Sequence, residues 1–548
     1  MSLSVVPIET VAVNVPVLDI NEPREYVVMK GGNYVQYKQY TSTSFSSNSF
    51  QFSCPPPSEK ILVNRKVYLQ TPVNISFTGV VSGVSTLLNS GYDAPRAFPL
   101  ATNLNTISVT INNGTVNINS ADVIQPLLRY NNPECLKEYD YSITPTEMDE
   151  SQEYGDLSNT VRNVLAGYGD SNYGNTHRGA FPFTVNSNTS TSANISFVAT
   201  EPIFLSPFYY GKGGHSGFYG VRTMDFNFTW NSDLSRMWCH NQVPGLGNTS
   251  ILTSMTVTFD QPKLLFEYTT PPITMERPLS VAYPYYSVNR FPTGPTQIAS
   301  GAVASNIVSN NIQLNSIPRR MYIYLKEQNS DLDFQHAGYS KTDTYASISN
   351  INLQFENFSG LLASASQQDL YNISRNNGVN LSWVEWSGQP VHAGNLASRI
   401  GTVGSVLCIE PGKDFGLPDN LAPGVIGNFM MQITVTATNP NLSRAINYML
   451  YITTVDEGTC TILDGSMILQ GSGVISGMDV LNAKKQSGIT YEDAKDAQGA
   501  GRFFSNIKHG VNKLKHHVSN SGGVSVGGVN VGGALMSRSH LKNRMREM

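Results

Sequence analysis

The sequence predicts an all-β protein made of two tandem β domains. Only 14% of the 548 residues are charged, whereas Asn, Ser, Thr, Gly and Tyr are abundant. This composition favours strands joined by polar loops over charged helices. The clearest apolar segments alternate with polar residues at period two, as half-buried strands do. Matching segments also recur in the same order roughly 200 to 260 residues apart, which indicates a duplicated domain rather than a solenoid.

The internal repeat consists of three matched pairs of segments. Residue types follow the same order in 47–52 and 309–314, in 65–69 and 319–323, and in 231–236 and 439–444. The third pair sets Phe226 opposite Thr434, which reverses the buried and exposed faces of the preceding strand, because side chains alternate at period two. Either a bulge or a deletion displaces this pair, or the third match is coincidental.

The length of the chain exceeds what one hydrophobic core usually serves, so we expect separate domains. Pro7, Pro16 and Pro23 exclude a helix from the first residues, which we interpret as an extended arm. The predicted segments are an N-terminal arm (1–45), a first domain (46–272), a second domain (273–465) and a C-terminal tail (466–548).

Residues 131–190 of the first domain are rich in Asn, Gly, Tyr and acidic residues. So long an insertion is typical of an exposed or functional loop. Short helices are predicted over 121–128 and 367–373, after corresponding strands of the two halves. The apolar residues of the best-defined strands are Ile107, Val109 and Ile111; Met224, Phe226, Phe228 and Trp230; Ile351, Leu353 and Phe355; and Met431, Ile433, Val435 and Ala437.

The cysteines and the N-terminus bear on the cellular compartment. The five cysteines are scattered and form no CxxC pair, so neither a disulfide framework nor a zinc site is indicated. No basic residue followed by an apolar stretch suggests a secretory signal, and no apolar run approaches the roughly 18 residues of a spanning helix. We therefore expect a soluble protein that folds in a reducing compartment and is not secreted.

The sequence lacks a recognisable catalytic motif, so we expect no enzymatic activity, no cofactor and no metal site. Ser216 lies in a glycine-rich loop without the G-x-S-x-G register of a nucleophile elbow. Lys212 and Lys413 lie near glycines that lack phosphate-loop spacing, and both places are interpreted as turns. Asp331 and Asp333 could share a cation, but paired acids in a polar loop are usually solvated. Carboxylate pairs of glycosidases leave no local signature, so a glycoside-cleaving protein remains an alternative.

The C-terminal tail differs in charge from the rest of the chain. Residues 501–548 hold eight Lys and Arg against one Glu, which gives the tail +7 and leaves −11 on the remainder of the −4 chain. Apolar residues recur at helical spacing from Phe503 to Val518, and a flexible segment with Gly-Gly pairs follows. The candidate contact residues of the tail are Phe503, Phe504, Ile507, Lys508, Lys513, Lys515, Arg544 and Arg546.

Two interpretations of this tail stay open. Its apolar face could pack on a partner or a membrane surface while its cations neutralise phosphates. Alternatively, the segment is a basic helix that docks on its own domain.

Several motifs together resemble a known family. They lie at 27–32, 41–48, 50–52, 93–99, 316–320, 412–417 and 424–429. With these motifs the chain resembles the double jelly-roll major capsid proteins of the tectivirus–adenovirus lineage. Those of virophages and polinton-like eukaryotic DNA viruses are the most similar in motif.

The resemblance implies two tandem eight-stranded jelly rolls and a structural function in the virion. It implies a homotrimer that forms a pseudo-hexagonal capsomer, with neighbouring capsomers and minor, penton-type capsid proteins as partners in an icosahedral shell around a DNA genome. The insertion would build an outward tower, and the arm would fasten neighbours. The tail would face inward, toward viral DNA, an internal protein or a membrane, and its Gly-Gly pairs are candidate sites of maturation cleavage.

Two alternatives accompany this interpretation. The Tyr-rich and Asn-rich loops would also suit a carbohydrate-binding or glycoside-cleaving β-sandwich protein. The second alternative is a minor capsid protein with one jelly roll, although the internal repeat disfavours it.

Overall fold

The structure is a computed structural model that describes residues between 34 and 471. The described ranges are 34–83, 85–88, 93–95, 98–128, 130, 183–208, 217–240, 249–270, 280–328, 345–379, 381–388, 391–393, 396–400, 404–417, 421, 423–440, 445–463 and 465–471. Most of the predicted arm, residues 131–182 of the insertion and nearly all of the tail lie outside them.

Most of the described residues lie in strands. The first half contains β1 (Tyr34–Thr41), β2 (Ser44–Phe45), β3 (Ser49–Ser53), β4 (Leu62–Val63), β5 (Tyr68–Ser82), β6 (Asp93–Pro95), β7 (Leu104–Ile111), β8 (Gly114–Ile118), β9 (Phe183–Asn188), β10 (Ser192–Pro202), β11 (Met224–Trp230), β12 (Trp238–His240), β13 (Thr249–Phe259) and β14 (Lys263–Thr270). The second half contains β15 (Ser280–Ile298), β16 (Gly301–Val308), β17 (Ile312–Ser316), β18 (Arg320–Glu327), β19 (Ser347–Phe355), β20 (Phe358–Leu361), β21 (Val391–Ala393), β22 (Leu396–Ile400), β23 (Val406–Ile409), β24 (Ile426–Asn439), β25 (Ile446–Leu463) and β26 (Ser466–Gly471). The helices are α1 (Ser120–Leu128), α2 (Gln367–Asn376), α3 (Trp383–Ser387) and α4 (Pro411–Asp414), with a 3₁₀ turn at Ser235–Met237.

The first half is a jelly roll. Its main strands pair in the order β1-β14-β5-β10 in one sheet and β3-β11-β7-β8 in the other. Numbered along the chain, these orders are 1-8-3-6 and 2-7-4-5, the arrangement of eight strands in two Greek keys. The strands β1 and β2 occupy residues 34–45, so this part of the predicted arm lies within the sheets. The strand β9 lies within the predicted insertion and pairs with β10.

The second half repeats this topology. The orders β15-β25-β18-β23 and β17-β24-β19-β20 are again 1-8-3-6 and 2-7-4-5. The all-β prediction and the prediction of two tandem eight-stranded jelly rolls are therefore confirmed.

The two jelly rolls share an irregularity in strand register. The pairing of β7 with β11 skips Asn105, and the pairing of β19 with β24 skips Ser349. Each skipped residue precedes its hairpin by the same distance, since the chain turns after Ile111 in one half and after Phe355 in the other. Bulges are specific features of a sheet, so the match supports the duplication independently of residue types.

The shared bulge also settles the third repeated segment. Aligned on it, Phe226 of β11 corresponds to Ile433 of β24, and both side chains are buried, 2% and 0% exposed. Asn231 then corresponds to Thr438 and not to Asn439, whose buried amide donates to Ile298. The third sequence match is therefore one residue out of step with the fold.

Both predicted helices are confirmed. The helix α1 spans the predicted 121–128 with one residue more, and α2 continues past 373 to Asn376. The helix α2 starts at a capping box, in which the Ser366 hydroxyl accepts from the Asp369 backbone N–H and the Asp369 carboxylate accepts from the Ser366 backbone N–H. This arrangement satisfies two N–H groups that a helix start otherwise leaves unpaired.

Candidate functional site at the junction of the two jelly rolls

The strand β18 is buried on both of its faces. Every residue from Met321 to Glu327 is buried, although side chains alternate between the two faces of a sheet. Tyr322, Tyr324 and Lys326 point away from the core of the second jelly roll and contact the first. The outer face of the sheet β15-β25-β18-β23 is thus an internal interface.

At the centre of this interface lies Asp122, in the first turn of α1. Its carboxylate pairs with the guanidinium of Arg290 on β15, lies 3.9 Å from the ammonium of Lys326 and accepts a 3.4 Å hydrogen bond from the Tyr451 hydroxyl. Its backbone carbonyl accepts from the Tyr324 hydroxyl at 2.8 Å. An acidic residue in the first turn also interacts favourably with the helix dipole.

Burial determines how these groups act. Asp122 and Lys326 are 4% and 1% exposed, so each would be costly to bury without its partner. Desolvation raises the pKa of Tyr324 well above its usual range and also raises that of Tyr451. Both phenols therefore stay protonated and donate their hydrogen bonds at any physiological pH.

Tyr130 extends the junction beyond α1. Its ring packs edge-on against Tyr322 with 5.0 Å between centroids, and its hydroxyl donates to the carbonyl oxygen of Val406 on β23 at 2.5 Å. Edge-to-face aromatic pairs contribute roughly 0.5–1.5 kcal/mol beyond the area they bury. The first half thereby contacts two strands of the same second-half sheet.

A second contact is built on Tyr283 of β15. Its hydroxyl donates to the carbonyl oxygen of Gly217 at 2.9 Å and accepts from the Tyr219 backbone N–H at 3.1 Å. Its ring packs edge-on against Phe218, and the Arg65 guanidinium lies 5.7 Å from the ring centroid. Burial raises the pKa of Tyr283 to about 12, so this hydroxyl also stays protonated.

A third contact lies at the turn between β7 and β8. The backbone N–H of Met467 donates to the side-chain oxygen of Asn113 at 2.8 Å. A Cβ at Gly114 would lie 2.9 Å from the Met467 side chain, so the close approach of the two halves requires glycine there. These three contacts lie at separate places, so the junction resists rotation of one jelly roll against the other.

The candidate residues of the tail lie outside the described residues. The same holds for Lys212, Ser216, Asp331 and Asp333. Lys413 lies within the short helix α4 and not in the predicted turn, and its ammonium donates to the side-chain oxygen of Asn377 at 2.8 Å. Within the described ranges no three His, Cys, Asp or Glu residues form a group that could hold a metal ion. Among the same residues, no helix is long and apolar enough to cross a membrane.

The residues of the junction do not form a sequence motif. They come from separate segments of both jelly rolls and have no common spacing. One signal was available, because residues 321–325 read Met-Tyr-Ile-Tyr-Leu without polar alternation. A continuous apolar strand in an otherwise alternating sheet indicates burial on both faces.

Comparison with known proteins finds a family match for each half of the chain. Residues 7–269 match the family described as Sputnik virophage major capsid protein 1st domain, and residues 289–458 match the family described as Major capsid protein V20 C-terminal domain. Capsid protein V20 of Sputnik virophage is 36% identical over 525 residues, which cover 94% of this chain and 88% of that protein.

Solved structures agree with this assignment. A chain of the Sputnik virophage structure determined by cryo-EM superimposes with a TM-score of 0.74 at 35% identity, covering 88% of this chain and 97% of that chain. The mavirus major capsid protein has the same fold at 16% identity, with a TM-score of 0.67 and the same two coverages. The chain has two jelly rolls joined by a buried junction, and its relatives match it along most of its length. It therefore belongs to the family of virophage major capsid proteins, and its function is structural, as a capsid subunit.

Proposed function

We propose that three copies of this chain form a pseudo-hexagonal capsomer and that such capsomers tile an icosahedral shell around a DNA genome. The observation that supports the proposal is the buried junction around Asp122. It holds two jelly rolls of the same topology side by side in one chain, so three chains supply six similar units. A closed ring of this kind follows when a head-to-tail contact repeats with the correct rotation.

The partners in this proposal are the other two chains of the trimer, neighbouring capsomers and minor, penton-type capsid proteins. The protein is made and assembled inside the host cell and carries no catalytic activity. The basic tail faces inward and contacts viral DNA, an internal protein or a membrane. Its net charge of +7 beside a body of −11 supports this orientation. The alternative of a minor capsid protein would require one jelly roll, whereas this chain has two.

The test measures the assembly state of the purified full chain. Light scattering coupled to size exclusion should give a mass three times the 59.9 kDa of one chain. Negative-stain microscopy of the same peak should show particles with six lobes. A persistent monomer under assembly conditions, at every concentration and ionic strength tested, would contradict the proposal.

A further inference from the structure

The third contact of the junction contains an Asn-Gly pair, at the turn between β7 and β8. The side-chain oxygen of Asn113 accepts from the Met467 backbone N–H at 2.8 Å, so an acceptor at this position joins the two jelly rolls. A Cβ at Gly114 would lie 2.9 Å from the Met467 side chain, which disfavours any larger residue there. The contact thus accounts for both residues of the pair.

This pair of residues is chemically reactive, because glycine has no side chain to hinder attack by its backbone nitrogen. The nitrogen of Gly114 attacks the side-chain carbonyl carbon Cγ of Asn113 and forms a cyclic imide. The new N–Cγ bond replaces the bond from Cγ to Nδ2, and the proton of the Gly114 nitrogen leaves with the released ammonia. Water then opens the imide at either of its two carbonyls, which yields aspartate or isoaspartate.

The surroundings of Asn113 permit this reaction. Its side chain is exposed to the water that the second step consumes. Within the part of the chain that the structure describes, no group accepts a hydrogen bond from its amide nitrogen, which is the leaving group. The Met467 N–H donates to the oxygen on which negative charge develops during the attack, so this bond does not oppose the reaction.

The other Asn-Gly pair of the chain begins at Asn377 and has different surroundings. Asn377 is 4% exposed, and its side-chain oxygen accepts from the Lys413 ammonium at 2.8 Å. Its amide nitrogen donates to the carbonyl oxygen of Cys408 at 3.0 Å and to the Asp414 carboxylate at 2.8 Å. The leaving group is therefore held at Asn377 and exposed at Asn113.

The attacking nitrogen is restrained at both pairs. Gly114 is paired with Ile111 at the end of the hairpin, and the Gly378 backbone N–H donates to the carbonyl oxygen of Arg375 at 3.1 Å. A difference in reactivity between the two pairs would therefore arise from the amide group and its access to water.

We propose that Asn113 is a site of spontaneous deamidation and that its conversion to isoaspartate loosens the third contact of the junction. In isoaspartate the main chain runs through the former side-chain carbon, which adds one methylene group to the two-residue turn. The turn then no longer holds an oxygen opposite the Met467 N–H. Because a capsid subunit is not replaced within its particle, the product accumulates with the age of the particle.

The experiment follows isoaspartate formation in the full chain at mildly alkaline pH, by mass spectrometry of its peptides. In concentrated urea both Asn-Gly pairs should react, since neither is protected there. In the folded chain position 113 should react at least about tenfold faster than position 377, because the two hydrogen bonds of the buried amide nitrogen must first break.

The variant Asn113→Gln tests the effect on the junction. Glutamine keeps the amide group but forms a larger ring far more slowly, so isoaspartate should not appear at position 113. During incubation the thermal unfolding midpoint of the unsubstituted chain should fall in step with its isoaspartate content, whereas that of the variant should stay constant. Only the change with time is compared, so a lower starting midpoint of the variant does not affect the test.

Faster reaction at position 113 than at 377, with a midpoint that falls only in the unsubstituted chain, would support the proposal. An unmodified Asn113 in the folded chain, or equal rates at the two positions, would overturn the assignment of the site. A constant midpoint while isoaspartate accumulates, or an equal fall in Asn113→Gln, would overturn its effect on the junction.

Discussion

The ammonium group of Lys326, on β18 of the second jelly roll, donates a 2.9 Å hydrogen bond to the carbonyl oxygen of Ala121, in the first turn of α1. The two residues are 205 positions apart in the chain. Lys326 is 1% exposed, so it needs both this acceptor and the nearby carboxylate of Asp122. The bond thus joins the two jelly rolls at a place that water does not reach.

The first prediction concerns this buried ion cluster. Asp122→Asn keeps the size of the side chain but leaves Lys326 and Arg290 without their carboxylate partner. Removing one partner of a buried ion pair costs about 3–5 kcal/mol. We expect the free energy of unfolding to fall by this amount, measured by urea denaturation followed by tyrosine and tryptophan fluorescence.

The control for this experiment is an exposed ion pair. Glu59 accepts a 2.8 Å hydrogen bond from Arg222, and both side chains are about half exposed. Solvent screens such a pair, so Glu59→Gln should cost less than about 1 kcal/mol. Equal effects of Asp122→Asn and Glu59→Gln would show that the buried cluster does not hold the junction.

The second prediction concerns a glycine near the junction. Gly404 has φ +84°, and a Cβ there would lie 2.1 Å from the carbonyl oxygen of Tyr345. Gly416 also has a positive φ, +59°, but its Cβ would meet nothing within 4 Å. Gly416→Ala should cost about 1–2 kcal/mol for the backbone conformation alone. Gly404→Ala should cost distinctly more, because the backbone of Tyr345 must also move.

Thermal unfolding midpoints of the two alanine variants check this expectation. Because both positions have a positive φ, the comparison tests whether the close approach to Tyr345 adds a steric cost. Equal midpoints would mean that the backbone around Tyr345 moves to accommodate the added methyl group without a further loss of stability.

The third prediction is a pH dependence of stability that arises from Glu201. Its carboxyl group is 1% exposed, and its two oxygens accept from the backbone N–H groups of Leu100 and Ala101 at 2.7 Å each. Burial raises the pKa of Glu201 to about 8, although the two backbone hydrogen bonds act in the opposite direction. The folded protein therefore holds this proton more tightly than the unfolded chain does.

The sign of the effect follows from this difference. The contribution of Glu201 to stability is fully present below the ordinary pKa of a glutamate, about 4.3. It is lost as the pH rises toward 8. We expect the stability difference between the unsubstituted chain and Glu201→Gln to shrink steadily from pH 5 to pH 8, measured by thermal unfolding. If the stabilities of the two proteins changed in parallel between pH 5 and pH 8, this would contradict the raised pKa of Glu201.

The fourth prediction concerns the basic tail. Deletion of residues 501–548 should leave the trimer intact but impair shell assembly or genome retention, because it removes a net charge of +7. A full-length variant with Lys508, Lys513 and Lys515 changed to Gln tests charge alone. Light scattering reports the trimer, and nuclease protection reports the retained DNA. Loss of soluble trimer on deletion would show instead that the tail belongs to the fold.

Much of the fold could be predicted from local patterns. Alternation at period two located strands such as β7 and β11, since a strand with one buried face must place apolar residues at every second position. The order of matched segments indicated the duplication. Both predicted helices were located from the residues between strands, because a short helix depends mainly on its neighbours in sequence.

The junction could not be predicted in the same way. Asp122 reads as an ordinary acidic residue at a helix start, and Lys326 as a charged residue at a strand end. Neither pattern shows that these two side chains meet, because their contact depends on the packing of one complete jelly roll on another. The sequence showed that the third repeat differs in phase by one residue, but it could not choose between the explanations until the bulges at Asn105 and Ser349 defined the register.

By itself the sequence determined the best-defined strands, their buried faces and the duplication, because the period of burial depends on neighbouring residues. The jelly-roll topology was implied only by the family resemblance. Only the tertiary structure decided that the outer face of the sheet β15-β25-β18-β23 is buried against the first jelly roll. The physical reason is that this contact joins residues far apart in the chain, such as Ala121 and Lys326, which are 205 positions apart. Only the packing of the complete first jelly roll on the second places Tyr130 against Tyr322 and Asp122 beside Lys326.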